Sequence, residues 1–415
     1  MTTLESTCPF GEGYDFTDPD VLLRGHPGHR VRRAAQDGAG VVERAGRVDL
    51  RRRRLLGDQP PRRHQGHLPQ RRRCVVHQRQ GRGHALPDGI TADQLDLTKA
   101  LLINHDAPEH TRLRKLVSRL FTPPRSVAAL EHKLAVAARE IVAAAKERNS
   151  GNFVDEVAMP LPLLAIADLI GVPEEDREKI FHWSNCIMNT DDPDFDADPT
   201  TANAELMGYA YNMAEARRKC PADDIVTRLV QADIDGDGGD GITEVEFAFF
   251  VILLAVAGNE TTRNAMTHGM NAFFENPDQW ELFKRERPDT AIEEIIRWAT
   301  PVHCFQRTAL VDTEIGGVTI RKGQRAGLFY SSANYDEEVF ENPFTFDILR
   351  NPNPHLAFGG NGAHFCIGAN LARMEIKLMF NEIADQIPDI SKLAEPLRLR
   401  SGWINGVKDL QVSYK

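Results

Sequence analysis

The chain has 415 residues, of which 41% are hydrophobic and 27% are charged, and its formal net charge is −10. This balance is typical of a folded soluble protein and excludes wholesale disorder. The longest apolar run, Phe247–Gly258, is shorter than the roughly 20 residues that a membrane-spanning helix needs. The sequence opens without a basic-then-apolar leader, and its six cysteines form no CxxC pair. We therefore expect a cytoplasmic enzyme without a disulfide scaffold or a structural zinc site.

Residues 25–86 differ sharply from the rest of the chain. They contain 16 Arg, no Lys and four acidic residues, and no Phe, Trp or Tyr occurs from Thr17 to Leu120. Three interpretations stay open: an arginine-rich arm that binds nucleic acid, a disordered insert, and out-of-frame translation of a GC-rich gene. We favour the out-of-frame hypothesis and expect no nucleic-acid partner, because both boundaries are abrupt and aromatic residues for stacking on bases are missing. An uninterrupted reading frame with ordinary codon usage would contradict it.

From Asp106 onward the sequence predicts a mainly α-helical fold with a small β-sheet region. Asp106-Ala-Pro-Glu109 is a capping-box pattern that begins a helix ending near Arg119. A long helix is predicted from Thr243 to Glu275, and Gly316-Gly317 predicts a hairpin turn. Further helices are predicted over 130–146, 160–171, 174–188, 203–219, 223–232, 277–285, 289–299 and 366–387, with strands within 305–330 and 397–415. Since no repeat or linker interrupts the pattern, we expect one domain over residues 1–415.

Phe358–Gly368, read FGGNGAHFCIG, is a glycine-rich loop that carries one cysteine to the start of a predicted helix. Glycine allows positive φ angles and a close approach of the backbone to a flat ligand. Unsatisfied N–H groups at a helix N-terminus favour a thiolate, so we expect a depressed pKa for Cys366. A thiolate is the axial ligand that haem iron needs to cleave an O–O bond. A buried structural cysteine is the alternative for this residue taken alone.

The loop resembles the cysteine-ligand signature of the cytochrome P450 superfamily and continues into Ala369-Asn-Leu-Ala-Arg373. The resemblance implies the cytochrome P450 fold, with haem b held between a long distal helix and the proximal cysteine loop. Cys366 would be the axial ligand of the haem iron, and Phe358 and Gly360 would lie beside the haem. Phe358 stands one residue further from the cysteine than in the family's usual pattern, and its ring is expected to pack over the proximal haem face.

Ala257-Gly-Asn-Glu-Thr-Thr262 places an acid and an alcohol in the middle of the long apolar helix. Burying such groups unpaired costs about 1–3 kcal/mol, so their presence needs a reason. One interpretation is a threonine hydroxyl that bonds back to its own helix. The other follows from resemblance to the family's distal helix. Gly258 would open the helix into an oxygen groove, and Thr261 and Glu260 would relay protons during oxygen activation. We favour this second interpretation.

Glu294-Ile-Ile-Arg297 resembles the family's ExxR ion pair, which fixes the proximal core. The spacing alone is not informative, since it recurs at Glu260/Arg263 and elsewhere. The position of Glu294 and Arg297, between the distal helix and the cysteine loop, is what supports the resemblance. Haem propionates need cationic or hydrogen-bonding partners. The resemblance implies four of them: His110, Arg114, Arg307 and His364.

Asp233–Glu244 fits the calcium-loop pattern of an EF-hand. However, its eighth position, normally apolar, is Asp240, and no second hand is present to pair with it. We therefore expect a surface turn between two helices and no calcium site.

Three strings, at 253–263, 351–355 and 401–406, are similar to bacterial steroid C26-monooxygenases. This similarity implies hydroxylation of the terminal side-chain carbon of a sterol such as cholesterol or cholestenone. One atom of O₂ would enter the C–H bond and the other would leave as water. Branched fatty acids or terpenoids are alternative substrates, and a non-catalytic or damaged haem protein is an alternative of another class. The candidate pocket residues, each also explicable by core packing, are Val256, Ala257, Val302, Phe305 and Trp403.

Electrons are expected from NAD(P)H through external carriers, a ferredoxin reductase and a ferredoxin, because the chain shows no flavin or iron–sulfur module. Arg112, Arg373 and Lys377 are predicted to lie near the proximal face, where an acidic ferredoxin would dock.

Overall fold

The computed structural model describes residues 76–77, 100–121, 127–188, 192–194, 198–222, 224–231, 241–315, 317–360 and 362–415. Across these ranges the prediction of a mainly α-helical fold with small sheets is confirmed. The helices are α1 Glu109–Phe121, α2 Val127–Arg148, α3 Pro160–Ile170, α4 Arg177–Met188, α5 Pro199–Lys219, α6 Ile225–Val230, α7 Glu244–Glu275, α8 Pro277–Glu286, α9 Thr290–Ala299, α10 Tyr330–Asn334 and α11 Ala369–Gln386.

The strands are short and lie at the edges of the helical body. They are β1 Val76–His77, β2 Ser150–Asn152, β3 Cys304–Ala309, β4 Thr313–Ile315, β5 Val318–Ile320, β6 Arg325–Phe329, β7 Ser391–Lys392, β8 Leu397–Arg398, β9 Val407–Asp409 and β10 Gln411–Ser413. One sheet has the order β1-β3-β6 and a second has the order β2-β10-β7. Antiparallel pairs β4-β5 and β8-β9 complete the set. Because Ile315 pairs with Val318, the predicted hairpin turn falls between these two residues.

Helix α7 is the central element of the fold. Thr243 caps its N-terminus by a capping box with Glu246, which fixes the first turn at the predicted place. The helix packs against α3, α5, α9 and α11. It is long and apolar enough to cross a membrane by length and composition, but most of its apolar stretch is buried inside the fold. Such burial is typical of a core helix.

Two sequence-based boundaries need correction. The helix after the cysteine loop begins at Ala369 and not at Cys366, because the chain turns through Ile367 and Gly368 first. The helix predicted over 174–188 begins as a short 3₁₀ turn, Glu174–Asp176, before α4. The arginine-rich segment lies outside the described residues apart from Val76 and His77. The predicted EF-hand loop also lies outside them, except for residues 241–244.

Candidate active site

The cysteine loop, Phe358–Gly368, lies directly before α11, and backbone hydrogen bonds hold its two ends together. Gly359 has φ +85°, a left-handed conformation that favours glycine, and its N–H donates to Leu356 O over 2.8 Å. Cys366 N donates to Phe358 O over 3.0 Å, which closes the loop. The loop therefore presents Cys366 from a backbone that is fixed at both ends.

The prediction of a depressed thiol pKa is wrong for this structure. Burial among protein atoms raises the pKa of Cys366, although the Gly368 N–H, Arg114 and Arg373 each act to lower it. The helix starts three residues too late for its N-terminus to dominate. Cys366 is nevertheless exposed as a residue despite the protein atoms around its thiol. The thiol is thus enclosed by protein and still accessible to a ligand.

Four predicted anion-binding side chains converge beside the loop; we call them the anion cluster (His110, Arg114, Arg307 and His364). The His110 and His364 rings lie 4.2 Å apart, and Arg114 donates to Phe365 O over 2.7 Å. Burial, reinforced by His110, Arg307 and Arg114, lowers the pKa of His364 to about 3. Both imidazoles are therefore neutral N–H donors, and the two guanidiniums carry the positive charge. Burial also lowers the pKa of Arg307, a cation that an anion would stabilise.

Glu294 and Arg297 form a fully buried ion pair on α9, with Arg297 Nε and Nη2 each 2.8 Å from a carboxylate oxygen. Arg350, Asn353 and the Asp347 N–H also donate to Glu294. Arg297 in turn donates to the carbonyls of residues 334 and 343. Every partner of this pair comes from α9 or from the segment that leads to the cysteine loop, so the pair fastens that segment to the core.

On α7, the middle turn carries exposed surface on an otherwise buried helix. Ala257 is exposed, and Val256, Gly258 and Thr261 are partly exposed, so this turn is accessible. The helix runs through Gly258 without a break, and Thr261 Oγ1 donates to Ala257 O over 2.7 Å. A Cβ at residue 258 would overlap Ile166 of α3. In this structure Gly258 therefore serves close helix packing, and an opened groove is not seen.

Glu260 belongs to the same turn of α7 but is fully buried. Its Oε2 accepts from Arg263 Nη2 over 2.5 Å and from Asn264 Nδ2 over 3.2 Å. Within the described ranges, its Oε1 has no hydrogen-bond partner, and neither amide atom of the neighbouring Asn259 has one. One carboxylate oxygen of Glu260 is therefore hydrogen-bonded, and the other is free to accept or donate a further hydrogen bond.

Three of the five predicted pocket residues belong to one apolar cluster. Val302 forms a β-bridge with Ile404, and Phe305 packs edge-on against both Tyr330 and Trp403. This aromatic cluster joins the start of β3 to the 401–406 segment. Val256 and Ala257 lie apart from it in sequence, on the accessible turn of α7.

The cations predicted to receive a ferredoxin are already paired within the chain. Arg112 binds Glu109 and Glu246, Arg373 binds Glu293, and Lys377 binds Asp289. Their charges are therefore largely compensated, which weakens them as a docking patch.

Comparison with known proteins agrees with this arrangement. The family model described as Cytochrome P450 matches residues 288–384, which span the ion pair, the cysteine loop and most of α11. The steroid C26-monooxygenase of Rhodococcus jostii (strain RHA1) is 62% identical over 328 residues, covering 79% of this chain and 69% of that protein. The chain belongs to the cytochrome P450 family. Like its relatives, it is a cytochrome P450 monooxygenase.

Two further P450s show how wide the similarity is. A methyl-branched lipid omega-hydroxylase of Mycobacterium tuberculosis (strain ATCC 25618 / H37Rv) is 46% identical, with 74% of this chain and 73% of that protein covered. The structure of Mycobacterium marinum cytochrome P450 CYP268A2 in complex with pseudoionone superposes with a TM-score of 0.73 at 36% identity. That superposition covers 82% of this chain and 84% of the other.

The residues present fit the haem that the P450 family implies. An accessible cysteine lies next to a partly buried cluster of two guanidiniums and two neutral imidazoles. A thiolate and such cationic and N–H donors are what a haem iron and its two propionates require.

Sequence reasoning missed three contributors to the site. Glu293 binds both His355 and Arg373. Arg263 binds Glu260. The Glu260/Arg263 spacing is visible in the sequence, but it is indistinguishable from the chain's other ExxR spacings until burial is known.

Proposed function

We propose that this P450 hydroxylates the terminal side-chain carbon of a sterol. The observation that carries the haem-thiolate part is the convergence of accessible Cys366 with the anion cluster. The substrate class rests on the 62% identity to a steroid C26-monooxygenase. When bound, haem supplies the oxygen-activating chemistry, in which one atom of O₂ enters a C–H bond and two electrons and two protons reduce the other to water.

The chain's own residues would hold the group in three ways. Cys366 would ligate the iron from the fixed loop. Arg114 and Arg307 would neutralise the propionates, and His110 and His364 would donate N–H hydrogen bonds to them. Phe358 and Gly360 would line the proximal side.

Thr261 and Glu260 would deliver protons in a site that excludes bulk water. Thr261 is partly exposed, and the buried Glu260 before it has one oxygen without a hydrogen-bond partner among the described residues, so both a surface alcohol and a buried acid are present in this turn. Arg263 holds the other oxygen, which keeps the acid oriented between turnovers.

The substrate would enter over α7 and rest against the aromatic cluster. Val256 and Ala257 offer small apolar contacts on the helix, and Val302, Phe305 and Trp403 offer an apolar wall. A rigid ring system loses less conformational freedom against such a wall than a flexible acyl chain does.

The test is a titration of the purified holoenzyme with cholest-4-en-3-one and, in parallel, with a methyl-branched fatty acid, followed by product analysis. If the substrate is a steroid, the low-to-high-spin shift should appear at a lower concentration of the steroid than of the fatty acid. The steroid should likewise yield its terminal alcohol at the lower concentration. The branched-lipid reading, favoured by the 46% identical omega-hydroxylase, predicts the reverse. Phe305→Ala should weaken steroid binding more than fatty-acid binding; equal losses would contradict the aromatic wall.

Electron delivery and location complete the proposal. NAD(P)H, a ferredoxin reductase and a ferredoxin in the cytoplasm would supply the electrons. Because Arg112, Arg373 and Lys377 are paired, docking would depend on shape and on other cations. Lys115 on α1 is one candidate, because it is exposed and has no ion-pair partner among the described residues. Lys115→Glu should raise the KM for the ferredoxin.

A further inference from the structure

Glu293 is the sequence neighbour of Glu294 but binds a different set of partners. Arg373 of α11 donates to it twice, from Nε over 2.6 Å and from Nη2 over 3.0 Å. His355 Nε2 lies 2.9 Å from Glu293 Oε2, and the His355 side chain is only 3% exposed. A carboxylate on α9 thus joins α11 to the segment just before the cysteine loop.

Two of the three side chains, Arg373 and His355, contact the ring of Phe358. The Arg373 guanidinium carbon lies 4.6 Å from the centroid of that ring, in cation–π geometry. The His355 ring lies 5.9 Å from it, and His355 Nδ1 accepts from the Ala357 N–H over 3.3 Å. With Nε2–H donating to Glu293 and Nδ1 accepting, both nitrogens of a neutral imidazole are used. We call Glu293, His355 and Arg373 the Phe358 clamp.

The backbone of Phe358 is also hydrogen-bonded to that of Cys366. Its carbonyl oxygen accepts from Cys366 N over 3.0 Å. The ring is therefore held by the clamp while the backbone of the same residue holds Cys366. A displacement of the ring would move the hydrogen bond that orients the cysteine.

We propose that the Phe358 clamp positions the iron ligand: Arg373, oriented by Glu293 and His355, fixes Phe358 and through it Cys366. The inference rests on the haem-thiolate function proposed above. Arg373 is a positioning residue and does not contact the reacting atoms. Its effect should appear in the properties of the iron–sulfur bond.

The experiment compares Arg373→Lys with the parent holoenzyme. Lysine keeps the positive charge and an ion pair with Glu293, but it removes the planar guanidinium from the ring. The matched control is Lys377→Gln, which removes a 2.7 Å ion pair with Asp289 one turn later on α11, away from Phe358. The haem reduction potential, measured without any redox partner, and the fraction of the reduced CO complex in the thiolate form are the readouts.

We expect Arg373→Lys to shift the potential and to raise the non-thiolate CO fraction several-fold, with Lys377→Gln unchanged in both. Phe358→Leu should shift the same two readouts, and the double variant should fall short of the sum of the single effects. If Arg373→Lys does not fold, His355→Gln replaces it, with the same expectation.

A parent-like potential and CO spectrum in Arg373→Lys, or shifts no larger than those of Lys377→Gln, would overturn the clamp alone. Absence of a thiolate band in the parent itself would instead overturn the haem-thiolate function.

Discussion

Two buried Glu-x-x-Arg pairs with the same spacing lie on two different helices, α9 and α7. Glu294 of the α9 pair has partners at both carboxylate oxygens, from Arg297, Arg350, Asn353 and the Asp347 N–H. Glu260/Arg263 on α7 is also buried, yet Glu260 Oε1 and Arg263 Nε have no hydrogen-bond partner in the described part of the chain.

The two pairs share a sequence spacing but differ in how many of their polar atoms are hydrogen-bonded. A buried pair whose every lone pair is used resists change, because removing any member leaves uncompensated charge. A buried acid with one free oxygen is poorly satisfied, and natural proteins keep such groups where chemistry requires them. We therefore propose that the α9 pair maintains the fold and that the α7 pair retains the capacity to move a proton.

The largest expected effect is on stability, from Glu294→Gln. The amide leaves Arg297 and Arg350 buried without a counter-charge, so the free energy of unfolding should fall by about 3–5 kcal/mol. Denaturant unfolding followed by circular dichroism and by haem absorbance measures it. A loss below about 1 kcal/mol would remove the distinction between the two pairs.

Thr261→Ala should show the opposite profile, with stability kept and chemistry lost. Without the hydroxyl, proton delivery slows, and general acid groups contribute about 10²-fold or more. Product formed per O₂ consumed should fall at least ten-fold while hydrogen peroxide rises, and the unfolding midpoint should stay near the parent value. Unchanged coupling of O₂ use to product would show that Thr261 only caps its own helix turn.

Gly258→Ala tests the packing role of the distal turn. The added methyl group meets Ile166, and overpacking of a core typically costs about 1–3 kcal/mol. The double variant with Ile166→Val should recover part of that loss in a thermal or denaturant assay. If the single variant is as stable as the parent but couples poorly, an opened groove at Gly258 is the better account.

A third buried acid, Glu375, makes the stability of the protein depend on pH. Burial raises the pKa of Glu375 from 4.5 to about 8, so it is protonated at neutral pH. Its folded pKa exceeds its unfolded pKa, so its contribution to stability is full below pH 4.5 and is lost as pH rises through about 8.

Glu375→Gln mimics the protonated acid. Its free energy of unfolding should match that of the parent at pH 4.5, exceed it by up to about 1.4 kcal/mol more for each pH unit above 4.5, and stop gaining above about pH 8. Denaturant midpoints at a series of pH values measure the gain, and parallel curves for the two proteins would refute it.

Much of the site follows from the sequence because local patterns carry it. The glycine loop with its cysteine, the long apolar helix and the order of His110, Arg114, Arg307 and His364 are visible without coordinates. The Phe358 clamp was not foreseeable, since Glu293, His355 and Arg373 meet only after three separate segments pack together. The thiol pKa was mispredicted for a related reason: burial, which raises it, is a property of the whole fold and outweighs the local N–H groups.

The most direct test of the account is the carbon monoxide difference spectrum of the reduced, purified protein, with Cys366→Ser alongside. The account predicts the red-shifted band of thiolate-ligated haem in the parent and its loss in the variant. A histidine-type band in the parent, or an identical spectrum in Cys366→Ser, would contradict Cys366 as the iron ligand.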